Sequence, residues 1–256
     1  MRALNLFWIP VAGLLVTSAA FAEPTEVVIR VLAKDAKFIG TETGGADVTL
    51  RDVESGKILA HGLTTGATGN TPKIMTDPHP RGGTLSDETS AKFSATLDLD
   101  RPRLISATVK GPMNAKEDAV TTSSMQWVVP GKPVTGDDAW VVEIRGFVID
   151  LTTAVPKTVK LAGGSQKIPL HAKITMQCGC PITPGGLWDA DKLEIGVIVH
   201  KGTKAYPTTR LAYAGKPSTF DGELEISEPG SYTVDIYAYA PWDGNTGVRR
   251  IALKAR

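Results

Sequence analysis

The chain has 256 residues, with 28 basic and 27 acidic side chains and a formal net charge of +1. A near-neutral chain with no basic run excludes nucleic acid and an anionic membrane surface as electrostatic partners. Two cysteines are too few for a disulfide scaffold, and the length suits one large domain or two ordinary ones, each able to bury a core.

Residues Met1 to Ala22 carry one charge, at Arg2, then an apolar run from Leu4 to Val16, then Ala20-Phe21-Ala22 before Glu23. This is the pattern of a secretory signal with a small-x-small cleavage site. The run is shorter than the roughly 20 residues a spanning helix needs, and Pro10 and Gly13 interrupt it. Removing it takes away one Arg and no acid, leaving 27 basic against 27 acidic residues. The mature chain is expected to be periplasmic or secreted, with no membrane insertion after cleavage.

From Thr25 onward, short runs of Val, Ile, Thr, Leu and Tyr alternate with Gly, Pro, Asp and Asn, and no helical period is sustained. That is an all-β signature. Strands are predicted at 26–33, 46–51 and 57–60, with turn chemistry at Thr43-Gly-Gly-Ala and Glu54-Ser-Gly-Lys. The stretch from Val48 to Ala60, with the following Gly62-Leu-Thr-Thr-Gly-Ala-Thr-Gly, resembles the carboxypeptidase-regulatory-like and transthyretin-like β-sandwiches over about forty residues. The resemblance implies a fold and no activity.

A Pro- and Gly-rich excursion from Gly66 to about Thr89 follows, holding Met75 and His79, and reads as a surface loop kept extended by Pro72, Pro78 and Pro80. Further strands are predicted at 92–98, 103–110, 123–129 and 140–151, with Trp127 and Trp140 as core aromatics. Strand periodicity stops at Thr152-Thr-Ala-Val-Pro156 and then restarts. The fold expected is two β-sandwich domains in tandem: a leader at 1–22, an N-terminal sandwich at 23–151 and an immunoglobulin-like sandwich at 152–256.

The second domain is read as seven strands, at 158–161, 167–177, 192–200, 208–213, 219–226, 231–240 and 248–254, which is the immunoglobulin-like count. Gly230-Ser-Tyr-Thr-Val-Asp-Ile-Tyr-Ala resembles the corner into the penultimate strand of such domains, with Tyr232 as its tyrosine. In that strand order, the connections Gly179–Asp191, Ala214–Ser218 and Pro241–Gly247 lie at one end. That end would gather Trp188, Asp189, Asp191, Trp242, Asp243 and Asn245 as a composite site for a protein or small ligand. The two indoles could stack on a sugar. The carboxylates and amide could hold calcium, although no Asp-x-Asp-x-Asp-Gly loop is present and such residues are commonly turn formers.

The densest chemistry is Met176-Gln-Cys178-Gly-Cys180. Alternate positions 168 to 180 share a face, whose residues are apolar, while His171, Lys173, Thr175 and Gln177 point the other way. Two thiolates and a thioether on one face would select Cu(I), so copper ranks ahead of calcium and zinc as the expected metal. Packing as small hydrophobes is the alternative for the cysteines. A Cys178–Cys180 disulfide, serving thiol exchange, is another and requires the backbone to turn at Gly179. Four scattered histidines, no Gly-x-Ser-x-Gly elbow and no phosphate loop argue against an enzyme. The expected function is a non-catalytic accessory or binding protein.

Overall fold

The structure is a computed structural model that describes residues 22–161 and 163–256. Residues 1–21 of the expected leader lie outside the described residues. The first half contains β1 (Glu23–Ala33), β2 (Asp47–Asp52), β3 (Ile58–Leu63), one helical turn α1 (Thr71–Met75), β4 (Phe93–Leu99), β5 (Arg103–Gly111), β6 (Val120–Val128) and β7 (Trp140–Ile144). The second contains β8 (Phe147–Leu151), β9 (Thr158–Val159), β10 (Gln166–Met176), β11 (Glu194–Lys201), β12 (Lys204–Ala205), β13 (Thr209–Arg210), β14 (Ala212–Tyr213), β15 (Thr219–Ile226), β16 (Gly230–Ala240) and β17 (Asn245–Ala255).

The first sandwich packs the sheet β4-β1-β7 against the sheet β3-β2-β5-β6. Period-two alternation explains why: Val27, Ile29 and Val31 of β1 and Ile105, Ala107 and Val109 of β5 are fully buried. The loop after β3 is more ordered than an extended connection. Asn70 caps α1 by accepting from the Lys73 amide at 3.0 Å, and Ile74 packs with Phe38 and Ala91 in a small separate core.

The second sandwich packs β14-β15-β10-β8 against β12-β11-β16-β17-β9, with β13 also on β11. With β8, β10, β15 and β14 as strands A, B, E and D, and β11, β16 and β17 as C, F and G, this is the immunoglobulin arrangement. The first strand splits: β8 pairs antiparallel with β10, and β9 crosses to run parallel beside β17. Tyr232 is the tyrosine corner, its hydroxyl donating to the Glu228 carbonyl at 2.7 Å.

Two expectations need correction. Residues 140–151 are two strands, not one, and the second of them belongs to the other sandwich, so a boundary at 152 would cut β8 from its own sheet. The chain changes sandwich at Arg145-Gly146, where the buried positions slip phase by one residue, from Trp140, Val142 and Ile144 to Phe147 and Ile149. Trp127 is 66% exposed, not a core aromatic, whereas Trp140 is buried and donates its indole N–H to the Ser124 hydroxyl at 3.2 Å. Apart from the small core around Phe38, most of the buried apolar residues of the two sandwiches form one continuous cluster.

Candidate functional site at the junction of the two sandwiches

The three connections expected at one end of the second sandwich do meet. Ser218 links two of them, its amide donating to the Ile182 carbonyl at 2.8 Å and its hydroxyl accepting from the Ile182 amide at 3.0 Å. Trp188 and Trp242 converge on a single residue of the first sandwich: the Trp188 indole donates to the Asp35 carbonyl at 2.8 Å, and the Trp242 indole to the Asp35 carboxylate at 3.1 Å. Asp35 takes a left-handed conformation, with φ of 49°. Burial pushes its carboxyl above the usual range, and Asp243 adds to that, while the Trp242 N–H and Lys34 oppose it.

The polar residues of this end are largely occupied by backbone. The Asp189 carboxylate accepts from the amides of Gly185 and Asp191 at 2.8 and 3.1 Å, and these bonds hold it below the usual carboxylate range. Asp243 accepts from the Asn245 amide at 2.9 Å. Asn245, 1% exposed, clamps Gly146 from both sides, accepting from its N–H at 2.6 Å and donating to its carbonyl at 3.3 Å. Asp191 stays exposed. The Trp-Asp loops therefore join the sandwiches, and among the described residues no group of three or more His, Cys, Asp or Glu is placed to hold a metal.

The sulfur face is as the alternation implies: Met176, Cys178 and Cys180 are all buried with Ile174 and Ile182. The strand ends at Met176, and Gly179, with φ of 78°, reverses the chain; its amide donates to the Met176 carbonyl at 2.8 Å, and the Met176 amide to the Cys180 carbonyl at 3.1 Å. That turn brings the Cys178 and Cys180 Cα atoms to 5.4 Å, and their sulfurs are bonded to each other. Two free thiolates for copper are thus not present in this state, and Met176 points into the core. Gly179 lies against the first sandwich, where an added Cβ would sit 3.0 Å from the Thr43 methyl group.

Beside the disulfide loop opens a cleft of about 520 Å³ lined by both sandwiches. Its floor is the outer face of the β8–β10 pair, where Val148 lies opposite Thr175 and Asp150 opposite Lys173. Its far wall is the β5–β6 connection, with Lys116, Glu117 and Asp118, and Cys178-Gly179 with Glu42 closes one end. Arg249 of β17 reaches in to pair with Glu117 and lies 3.5 Å from Asp118. Among the described residues, Glu42, Lys116, Asp150 and Lys173 form no ion pair, so the cleft presents unspent charge of both signs. On its other side the disulfide loop borders a smaller recess of about 230 Å³ with Lys37, Thr68 and Trp188.

Asp118 stands where the cleft meets the interior. Burial pushes its carboxyl up to about 6, the Ile149 amide opposes this, and Asp150 adds to it. The Arg249 guanidinium is shared with Glu117 and does not offset the lost water. One Asp118 oxygen and the side-chain oxygen of its neighbour Gln177 are buried without a hydrogen-bond partner. Because the folded state takes up the proton before the unfolded chain does, the ionised carboxylate weakens folding above about pH 6. That penalty fades as pH falls toward the ordinary carboxylate range. Asp118→Asn is therefore expected to be more stable than wild type at neutral pH, with the gap closing on acidification. Urea midpoints measured across this range with parallel pH slopes for the two proteins would sink that assignment.

Cys178 is the one cleft residue singled out by the sequence as chemical. The rest were missed because the β5–β6 connection, Pro112 to Asp118, reads as an ordinary polar loop, and its opposition to β8 and β10 depends on where the chain changes sandwich. The signal available was the unpaired polar face of β10, carrying Lys173 and Thr175. No family model matches the chain, and no curated protein does. Among solved structures it is similar to the fibronectin(III)-like modules of Clostridium thermocellum CbhA, at 10% identity over 90% of this chain and 89% of that one, with a TM-score of 0.26. The fold assignment rests on the strand order described above.

Proposed function

We infer that this is a non-catalytic binding protein acting outside the cytoplasm, which holds a small ligand carrying charge of both signs in the cleft between its sandwiches. The observation that carries the reading is the cross-strand pair Asp150 and Lys173, with Lys116 and Glu42 opposite, all unpaired on walls supplied by two domains. Clefts at domain junctions are a preferred place for small-molecule sites, and a few placed charges set orientation there. The leader-like first residues and the bonded cysteine pair support an oxidising compartment. The side chains lining the cleft offer charge of both signs for positioning a ligand, which supports the binding part of this reading. Copper at Met176, Cys178 and Cys180 is not part of this reading, because the donors are bonded or buried.

Glycylglycine and free amino acids at millimolar concentration are expected to raise the thermal midpoint, whereas acetate or methylamine alone does not. Lys173→Ala and Asp150→Ala, both at exposed positions, should each weaken that binding by about tenfold or more, equivalent to about 1.4 kcal/mol. If zwitterions shift the midpoint no more than the singly charged ions do, or if the variants bind as wild type does, the cleft is not the site.

A further inference from the structure

The strand β6 is written with its hydrophobic pattern inverted. Its inward side carries Thr122, Ser124 and Gln126, half-buried, while its outward side carries Met125 at 57% and Trp127 at 66% exposure. Pairing with β5 imposes this: Ile105, Ala107 and Val109 face the core, and the residues opposite them are Gln126, Ser124 and Thr122. A one-residue shift in register would bury Met125 and Trp127, so the observed register spends the strand's largest apolar groups on the outside.

These groups do not stand alone. Register places Leu104 beside Trp127, and the Val53 amide donates to the Leu104 carbonyl at 3.0 Å. In the next row, Met125 lies beside Ser106, then Arg51, then Ile58. Val53, Ile58 and Val129 are 41%, 51% and 43% exposed, so with Met125 and Trp127 they form an apolar band along this end of the sheet, interrupted on β2 by the exposed Arg51. With side chains of roughly 150–250 Å², the exposed part of this band is on the order of 500 Å², near the upper end of what a lone monomer leaves uncovered.

We propose that this sheet face is the interface with a second copy of the same chain, packed face to face about a twofold axis passing near β6. Charge favours an identical partner. A residue near a twofold axis meets its own copy, so any charge there would face a like charge, and Ala119 to Gly131 contains none. Area fits a weak dimer: the apolar band with the flanking Thr121 and Ser123 offers on the order of 600 Å² per partner, at the low end of specific interfaces. Sheets pack in this manner about 10 Å apart, with the side chains of both faces interdigitating. The inference is independent of the cleft.

The test is sedimentation velocity of the mature chain from about 1 to 200 μM, a range that brackets micromolar association. Wild type is expected to pass from monomer to dimer within it. The double variant Met125→Lys, Trp127→Glu, changed only at exposed positions, should remain monomeric, a loss of about 100-fold or more in association. Val248→Lys, exposed in the other sandwich, should dimerise as wild type does. Unfolding midpoints of both variants near that of wild type will show that the fold is intact. A wild-type monomer throughout, a dimer that survives the double variant, or a monomer whose Trp127 is shielded only by added oligosaccharide overturns the proposal.

Discussion

Trp188→Ala is expected to cost about 3–5 kcal/mol of stability, the usual loss for truncating a large buried aromatic. The side chain is 8% exposed, and its indole N–H is committed to the Asp35 carbonyl across the junction, so truncation removes core packing and leaves that carbonyl without its partner. Trp242 is the internal control. It donates to the same residue but is 51% exposed, so Trp242→Ala should cost about 1 kcal/mol or less. Urea denaturation followed by far-ultraviolet circular dichroism measures both. Equal losses would mean that the junction depends on Asp35 as an acceptor and not on the packing of Trp188.

Gly146→Ala should cost about 2–4 kcal/mol, combining a positive-φ penalty with a steric one. Gly146 has φ of 124°, a conformation side chains other than glycine's rarely take, and an added Cβ would lie 2.8 Å from the Gln177 side-chain nitrogen. Gln177 cannot easily move away, being 1% exposed between Gly146 and the Asp118 carbonyl. Asn245→Ala attacks the same point by another route, since it strips partners from the N–H and the carbonyl of Gly146 together, and should cost a similar amount. Denaturant midpoints for the pair, with the double variant losing less than the sum of the singles, would mark one coupled unit. A fully additive double variant would show that the two residues act separately.

Much of the architecture was legible in residues 158 to 255 because each strand there keeps polar and apolar positions apart. The sulfur face of β10, the meeting of the Trp188 and Trp242 loops and the Tyr232 corner follow from period-two alternation and strand order alone. Two features were not legible, for different physical reasons. The step from β7 to β8 leaves only a one-residue slip in the alternation, from Ile144 to Phe147, which a bulge inside a single strand would produce equally well. What marks the change of sandwich is a backbone conformation at Gly146 and a partner 99 residues later, Asn245. The face of β6 was not legible because alternation fixes which residues go together but not which side is inward. That choice belongs to β5, and it turned Trp127 outward. The cleft was hidden by the first of these, since its walls become neighbours only once the change of sandwich is known.

The two-residue connection at Arg145-Gly146 also has a kinetic side. Pinned by Asn245 and flanked by the Trp188 anchor, it holds the β5–β6 loop against the β8–β10 floor, so a ligand of the proposed kind would meet a cleft whose width is already set. Encounter then needs no prior rearrangement of the protein. The observed rate should rise linearly with ligand concentration without reaching a plateau, and differences in affinity among ligands should lie in how slowly each one leaves.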